Sequence, residues 1–275
     1  MLEWCHMLTF PNIDPVAIEL GQLKIRWYGI SYVVGILLAW WLLKLRARKL
    51  PRQWTLKQVS DLVFYCTIGI ILGGRLGSVL FYNLPFYMDN PISVFKIWQG
   101  GMSFHGGFLG VVFAIAYFSR KEKIIFFTIA DFLMPVVPVG LLFGRIANFV
   151  NGELWGKPSD VAWAMVFLHV DNQPRHPSQL YEIFLEGFVL FSVLWLLSSK
   201  PKPTMFISGM FLTLYGIFRV AVEMFREPDR HIGYLLGDWL TMGMLLSLPM
   251  VVVGVLLLFL AIRNKDITQD WAPGS

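Results

Sequence analysis

Charge is scarce in this sequence. Of 275 residues, 15% are Asp, Glu, Lys or Arg and 56% are hydrophobic, whereas a soluble domain carries roughly a quarter charged residues. The shortage excludes an ordinary soluble globular protein. It points instead to several apolar spans of about 20 residues each, the length that crosses a bilayer. Cysteine is also rare. Cys5 and Cys66 are the two present, far apart and in no metal-ligand spacing, so neither a disulfide framework nor a zinc site is supported. The sequence has no HExxH, no nucleophile-elbow serine and no paired-aspartate motif for Mg²⁺, which weakens metal and serine-hydrolase readings. His6, His169 and His231 form no constellation. No basic patch with interleaved stacking aromatics stands apart from the spans. The net charge of +5 therefore reads as a positive-inside bias and not as nucleic-acid binding. Heptads, solenoid periods and low-complexity tracts are absent. The segment MLEWCHMLTF has neither a positive n-region nor a small-residue cleavage site and does not read as a cleaved leader.

What is present is a series of apolar runs. Seven transmembrane helices are predicted, over about Ile25–Leu43, Val59–Phe81, Met102–Phe118, Ile124–Val150, Pro177–Leu197, Met205–Phe225 and Trp239–Ile262. The densest basic cluster, Lys44, Arg46, Arg48, Lys49, Arg52 and Lys57, follows the first run. Arg120, Lys121 and Lys123 follow the third, Lys200 and Lys202 the fifth, Arg263 and Lys265 the seventh. These alternate ends are cytoplasmic by the positive-inside rule, which puts the N-terminus outside and the C-terminus in the cytoplasm. The fold expected is an all-α integral membrane protein forming a single membrane-embedded domain over residues 1–275. It carries a small outer arm, about 82–101, and an outer cap, about 151–176, in which DVAWAMVFLHV alternates weakly enough for a short strand or hairpin. Pro135 and Pro138 predict a kink in the fourth span. Gly69, Gly73 and Gly77, Gly106 and Gly110, and Gly140 and Gly144 recur at four-residue spacing, which predicts close helix approach. Most of Trp27, Tyr28, Phe86, Tyr87, Trp98, Trp155 and Trp239 fit an outer aromatic belt.

The informative residues are those that do not suit lipid. GRIANFVNGELWG, Gly144–Gly156, ends an apolar run yet holds Arg145, Asn148, Asn151 and Glu153. An ionisable residue inside a span costs about 2.5–3.5 kcal/mol at the helix centre on insertion scales and marks an interior site. Arg75, Arg145, Arg219, Glu182, Glu186, His105 and Tyr28 all fall toward the outer leaflet; Asp61 and Asp131 lie nearer the inner face. Arg219, Glu223 and Arg226 stand at i, i+4 and i+7 and share one helix face. Two readings of them stand side by side. The ladder neutralises itself and glues the bundle, or Glu223 orients two guanidiniums whose excess charge, with Arg145 and Asn148, serves an anion. Three arginines against one carboxylate favour the anion, and guanidinium forks match phosphate oxygens. A phosphate anchored at a membrane surface is a phospholipid headgroup. His105, followed by two glycines in FHGGFLG, suits acid/base work or ligand positioning; His176 sits at a polar outer mouth. The residues alone thus predict an outer-leaflet phospholipid-handling protein, either an enzyme or a lipid or anion transporter. No second copy of GRIANF or FHGG supports the inverted repeats of a transporter.

GRIANFVNGELWG resembles the signature of the prolipoprotein diacylglyceryl transferase family. IRWYGI around Tyr28, GGRLG around Arg75, GGMSFHGGFLG around His105, RHPSQLYE from Arg175 to Glu182, and YGIFRVAVEMFREPD from Tyr215 to Asp229 are similar to the family's other motifs, in order along the whole chain. Ala147 departs from a frequent glycine, a small-for-small change. The loop Val161–Asn172 matches only loosely. The resemblance implies transfer of the diacylglyceryl group of phosphatidylglycerol to the lipobox cysteine thiol of a preprolipoprotein, as a thioether, with release of glycerol phosphate. It implies no metal and no organic cofactor. It also implies a multi-pass protein of the bacterial inner membrane with its active site facing the periplasmic leaflet, and partners limited to membrane lipid and the preprolipoprotein signal peptide, with no nucleic acid. On that basis Arg145, Arg219, His105 and Glu223 are expected to be catalytic. Tyr28, Arg75, Asn148, Asn151, Glu153, Gly156, Arg226 and His176 are expected to bind substrate.

Overall fold

The computed structural model describes residues 8–21, 23–50, 54–228 and 233–264. Cys5, His6, Arg52, Asp229, His231 and Lys265, named above, lie outside the described residues. In chain order the elements are β1 Leu8–Thr9, β2 Val16–Leu20, β3 Leu23–Arg26, α1 Trp27–Ala47, α2 Leu56–Phe81, α3 Leu84–Asp89, α4 Phe104–Glu122, α5 Phe126–Leu133 and α6 Val137–Val150. Then come β4 Met165–Val166, β5 Pro174–Arg175, α7 Ser178–Glu182, α8 Leu190–Leu197, α9 Phe206–Glu223 and α10 Met242–Asn264.

Among the described residues, six stretches are long and apolar enough to cross a membrane. They are α1, α2, Phe126–Val150, Ser178–Leu197, α9 and α10. α4 is 19 residues long but is not among the six. Its first turns carry His105 and three glycines, and its last turn is charged, which lowers its mean hydropathy. Large apolar side chains are bare on these helices, including Phe113 at 72%, Leu196 at 70% and Val252 at 67% exposed. Water would oppose such a surface; hydrocarbon does not.

The chain forms two compact units. In the first, residues 8–39 and 133–264, the core is Leu190 and Leu194 of α8 against Ile207, Phe211 and Tyr215 of α9. α9 and α10 meet through small residues: a Cβ on Gly209 would lie 2.9 Å from the Gly254 carbonyl oxygen. Gly35 of α1 faces Gly140 of α6, where a Cβ would sit 3.5 Å from Cα. Cβ atoms built on Gly140 itself and on Gly144, the pair expected to pack closely, would meet nothing within 4 Å. Helical chain from Phe126 onward breaks at a 3₁₀ turn, Met134–Val136. This is the interruption expected at Pro135, where the ring removes a donor. A second interruption was not expected. Residues Ile183–Val189, between α7 and α8, form a π-helix. The cap segment supplies β4 and β5, which pair antiparallel, and β1 adds in parallel to β4, Leu8 opposite Met165.

In the second unit, residues 40–132, α2 and α4 pack backbone to backbone. A Cβ on Gly77 would meet the Cα of Gly106 at 2.8 Å, and Cβ atoms on Gly69 and Gly73 would strike the carbonyls of Gly110 and Gly106. The four-residue glycine spacing works here as expected. Both helices start on side-chain caps: Thr55 with Gln58 in a capping box, and Ser103, whose Oγ accepts the Gly106 N–H at 3.2 Å. Near the basic segment, Trp54 stacks on Phe132 at 4.3 Å between centroids, and the Arg46 guanidinium lies 5.8 Å from the Phe132 ring. Asp61, on α2, is 3.8 Å from the Lys121 ammonium.

Candidate active site

In the first unit, charged side chains from several helical segments converge. α6 contributes Arg145 and α9 contributes Arg219 and Glu223. Arg226 follows α9, and α7 with the π-helix contributes Glu182 and Glu186. Arg145 Nε lies 3.3 Å from Glu182 Oε2, and Arg145 Nη2 lies 3.3 Å from Glu186 Oε2. Arg219 Nη1 pairs with Glu182 Oε1 and stands 3.8 Å from Glu186 Oε1. Its Nη2 is 2.7 Å from Glu223 Oε2. Arg226 Nη1 reaches Glu182 Oε1 at 3.7 Å. Glu223 Oε1 also accepts the Thr241 hydroxyl at 3.0 Å.

This corrects the expectation of three arginines against one carboxylate. Glu182 and Glu186, both 0% exposed, join Glu223, so three guanidiniums face three carboxylates and the cluster is formally neutral. The signal was present in the sequence as two glutamates, i and i+4, inside an apolar span. Placing them against Arg145 and Arg219 needed the three-dimensional packing of that span, which runs through the π turn. Such turns recur at functional sites. The arginines are not equally hidden: the side chains of Arg145 and Arg219 keep 17% and 11% of their surface accessible, those of Glu182 and Glu186 none. The pairing is that of the self-neutralising reading posed above, extended by Glu182 and Glu186: buried carboxylates hold the cations.

Around this cluster, Tyr28 lies 5.2 Å ring to ring from Tyr32, and Tyr32 is within electrostatic reach of Arg145. The polar loop after α6 is tied down by its own side chains. Asn148 Nδ2 and Asn151 Nδ2 donate to the two carboxylate oxygens of Glu153 at 3.2 and 3.4 Å. Gln179 Nε2 donates to the Glu153 carbonyl at 2.5 Å, and Ser178 Oγ to that of Leu154 at 2.8 Å. Leu154 has φ +58° and Gly152 φ +65°, left-handed backbone that only Gly adopts without strain. Gly156 donates its N–H to the His176 carbonyl at 2.9 Å and pairs across a bridge with Arg226. Arg175, quoted above only within a motif, is an organiser here. It bonds the Gly156 carbonyl at 3.1 Å, Asp171 at 2.6 Å and Glu227 at 3.3 Å. His176 Nδ1 is 2.9 Å from the Tyr181 hydroxyl. Burial lowers its pKa below the usual 6.5, with Asp160 opposing, so the ring is neutral at neutral pH.

The close approach at Gly156 carries a prediction. A Cβ there would lie 2.6 Å from the Cβ of His176 and 2.7 Å from the Phe225 carbonyl oxygen, too close to accommodate without moving main chain. Gly156→Ala is expected to destabilise by about 1–3 kcal/mol, the usual cost of overpacking. A thermal melt in detergent checks it; an unchanged midpoint with full activity would show that the loop gives way freely.

The second unit holds the other two expected residues. Arg75 is 5% exposed, and its guanidinium is wrapped in main-chain carbonyls of the arm. It donates to Val94 at 2.8 Å, Gly100 at 2.6 Å, Gly101 at 3.1 Å, Lys96 at 3.3 Å and also to Ser93. The Tyr87 ring lies 5.1 Å away. Its visible work is to fasten the arm. His105 is exposed in the first turn of α4, edge-on to Phe104 at 5.7 Å. Among the described residues, no group of three His, Cys, Asp or Glu side chains is arranged to hold a metal ion.

A polytopic helical protein with a neutral Arg–Glu cluster among its apolar spans defines a class, that of all-α integral membrane proteins. Comparison with known proteins narrows the class. The family model described as prolipoprotein diacylglyceryl transferase matches residues 15–260. The chain is 54% identical over 266 residues to the phosphatidylglycerol–prolipoprotein diacylglyceryl transferase of Pseudomonas paraeruginosa (strain DSM 24068 / PA7), covering 97% of this chain and 100% of that protein. It is also 54% identical over 259 residues to the protein of that name from Oleidesulfovibrio alaskensis, covering 94% and 97%. The chain belongs to the prolipoprotein diacylglyceryl transferase family.

Proposed function

We propose that this protein transfers the diacylglyceryl group of phosphatidylglycerol to the lipobox cysteine thiol of a preprolipoprotein, releasing glycerol phosphate. The observation that carries the reading is the pair Arg145 and Arg219. Both cations keep part of their surface accessible and are paired with buried Glu182, Glu186 and Glu223, in a chain of this family. In the reaction a C–S bond forms and the carbon–oxygen bond to phosphate breaks, the electron pair leaving with the phosphate oxygen. Negative charge grows on that phosphate, and guanidiniums gathered there in advance stabilise it. Arg145 and Arg219 are assigned to the phosphate, Glu223 to orienting Arg219, and Arg226 to the same headgroup. The thiol, of ordinary pKa about 8.5, must lose a proton. His105 is assigned to accept it; loss of lipid binding in His105→Gln, with residual chemistry intact, would make it a headgroup-positioning residue instead. Tyr28, Asn148, Asn151, Glu153, Gly156 and His176 are assigned to shaping the headgroup side, and Arg75 acts through the arm it fastens.

The reading includes α4 as a seventh span, the N-terminus outside and the C-terminus cytoplasmic. It takes residues 1–275 as one transferase domain, with an outer arm at 82–101 and a cap at 151–176. It places the protein in the bacterial inner membrane with the site toward the periplasmic leaflet. Support comes from the basic residues gathered at Lys44–Lys49, Arg120–Lys123, Lys200 and Lys202, and Arg263. The partners are phosphatidylglycerol and the preprolipoprotein signal peptide. The test is a reconstituted assay with labelled phosphatidylglycerol and a lipobox peptide. Label is expected on peptide with a free thiol and none on peptide with a blocked thiol. Lipid movement that continues with blocked peptide, and no label on free thiol, would replace the transferase by a transporter.

A further inference from the structure

The neutral charge count raises a question that an anion site must answer. A phosphodiester entering a cluster of three guanidiniums and three carboxylates adds one negative charge to a buried place. When Arg145 and Arg219 are drawn toward it, the carboxylates they hold lose part of that pairing. The three glutamates are not equally exposed to that loss. Glu182 keeps Arg226, 3.7 Å away. Glu223 keeps the Thr241 hydroxyl at 3.0 Å. Glu186 keeps nothing charged. Its one hydrogen bond is from Arg145 Nη2 at 3.3 Å. Its other oxygen, like Glu182 Oε2 and Glu223 Oε2, has no hydrogen-bond partner, and it faces Arg219 Nη1 at 3.8 Å. It is 0% exposed, so water does not replace them.

We infer that phosphatidylglycerol binding is coupled to uptake of one proton, and that Glu186, on the π-helical turn, is the residue that takes it. The inference rests on the phosphate reading above. The balance is simple: headgroup anion and solution proton enter together, Glu186 becomes the neutral acid, and the cluster stays neutral. A protonated Glu186 no longer competes with phosphate for Arg145, so the proton also frees the guanidinium. The groups facing Glu186 are Arg145 from α6, Glu182 from α7, and Tyr215 and Arg219 from α9, with Glu223 behind Arg219. α8 presents apolar Leu190 and Leu194 to the core. Glu186 is thus a positioning residue whose protonation state sets whether the arginines are available.

The experiment is phosphatidylglycerol binding by the full-length protein in detergent, without peptide, at constant salt across roughly pH 5 to 9. The phosphodiester stays singly charged over that range, and one coupled proton makes Kd weaken by up to about tenfold per pH unit. Calorimetry in buffers of different ionisation enthalpy counts the proton directly in the unmodified protein. Glu186→Gln is expected to bind without that slope and as tightly at high pH as the unmodified protein at low pH. Glu186→Asp and Glu182→Gln are expected to keep the slope. A zero proton count, or a slope that survives Glu186→Gln, overturns the inference while leaving the phosphate reading intact. Failure of the unmodified protein to bind phosphatidylglycerol at any pH overturns the phosphate reading instead. Should Glu186→Gln not fold, the calorimetric count and the Glu186→Asp profile decide.

Discussion

Arg219→Lys is expected to lower kcat by about 10²-fold or more while the protein still inserts, folds and is extracted like the unmodified chain; removal of one preorganised donor to a developing anion costs 10²–10³. The reason lies in how the guanidinium is held. Nη1 serves Glu182 and faces Glu186, while Nη2 lies 2.7 Å from Glu223. A planar fork fixed at both ends can aim a further N–H at phosphate. A lysine ammonium is a point charge on a flexible stem and cannot bridge Glu182 and Glu223 while also meeting a ligand. The same argument applies to Arg145, which bridges Glu182 and Glu186. Turnover measured as release of glycerol phosphate checks both. Near-normal rates in Arg145→Lys and Arg219→Lys together would remove phosphate binding from this cluster.

Glu182→Ala is expected to destabilise the fold more than any other single change in the cluster. Glu182 is fully buried and is approached by Arg145, Arg219 and Arg226. Removing it leaves three guanidiniums in a low-dielectric place with two carboxylates between them. Breaking a buried ion pair by deleting one partner costs about 3–5 kcal/mol, because the remaining charge is uncompensated. Glu186→Ala removes a carboxylate held by a single hydrogen bond and is expected to cost less. Unfolding midpoints of the two variants in detergent give the comparison. Equal midpoints would mean that Glu182 is not the hub that the geometry makes it.

How far these conclusions were legible beforehand depends on the kind of interaction. The apolar runs set the helices, because length and hydropathy are local properties. The break at Pro135 and the shared face of Arg219 and Glu223 follow from local stereochemistry as well; Arg226, expected on that same face, lies beyond the end of α9. The close packing of α2 on α4 was written in the spacing of Gly69, Gly73, Gly77, Gly106 and Gly110. What escaped were the contacts that depend on distant chain. The π-helix at Ile183–Val189 has no local signature, and without it Glu182 and Glu186 remained merely polar residues in a span. The depth of Arg75 was visible in the sequence; the carbonyls of Ser93–Gly101 that surround it were not. The pairing of Leu8 with Met165 joins residues far apart in sequence through strands two residues long, too short for a pattern. Gly144, read as a packing glycine, turned out to face open space.

The central claim is that the buried glutamates hold Arg145 and Arg219 ready for a lipid phosphate. Its most direct test is an experimental structure of the protein with phosphatidylglycerol bound and no peptide present. The account predicts phosphate oxygens within hydrogen-bonding distance of both guanidiniums, the Arg145–Glu186 contact opened, and Arg226–Glu182 and Glu223–Thr241 retained. A headgroup phosphate seated away from Arg145 and Arg219, in a preparation that still modifies peptide, would contradict it.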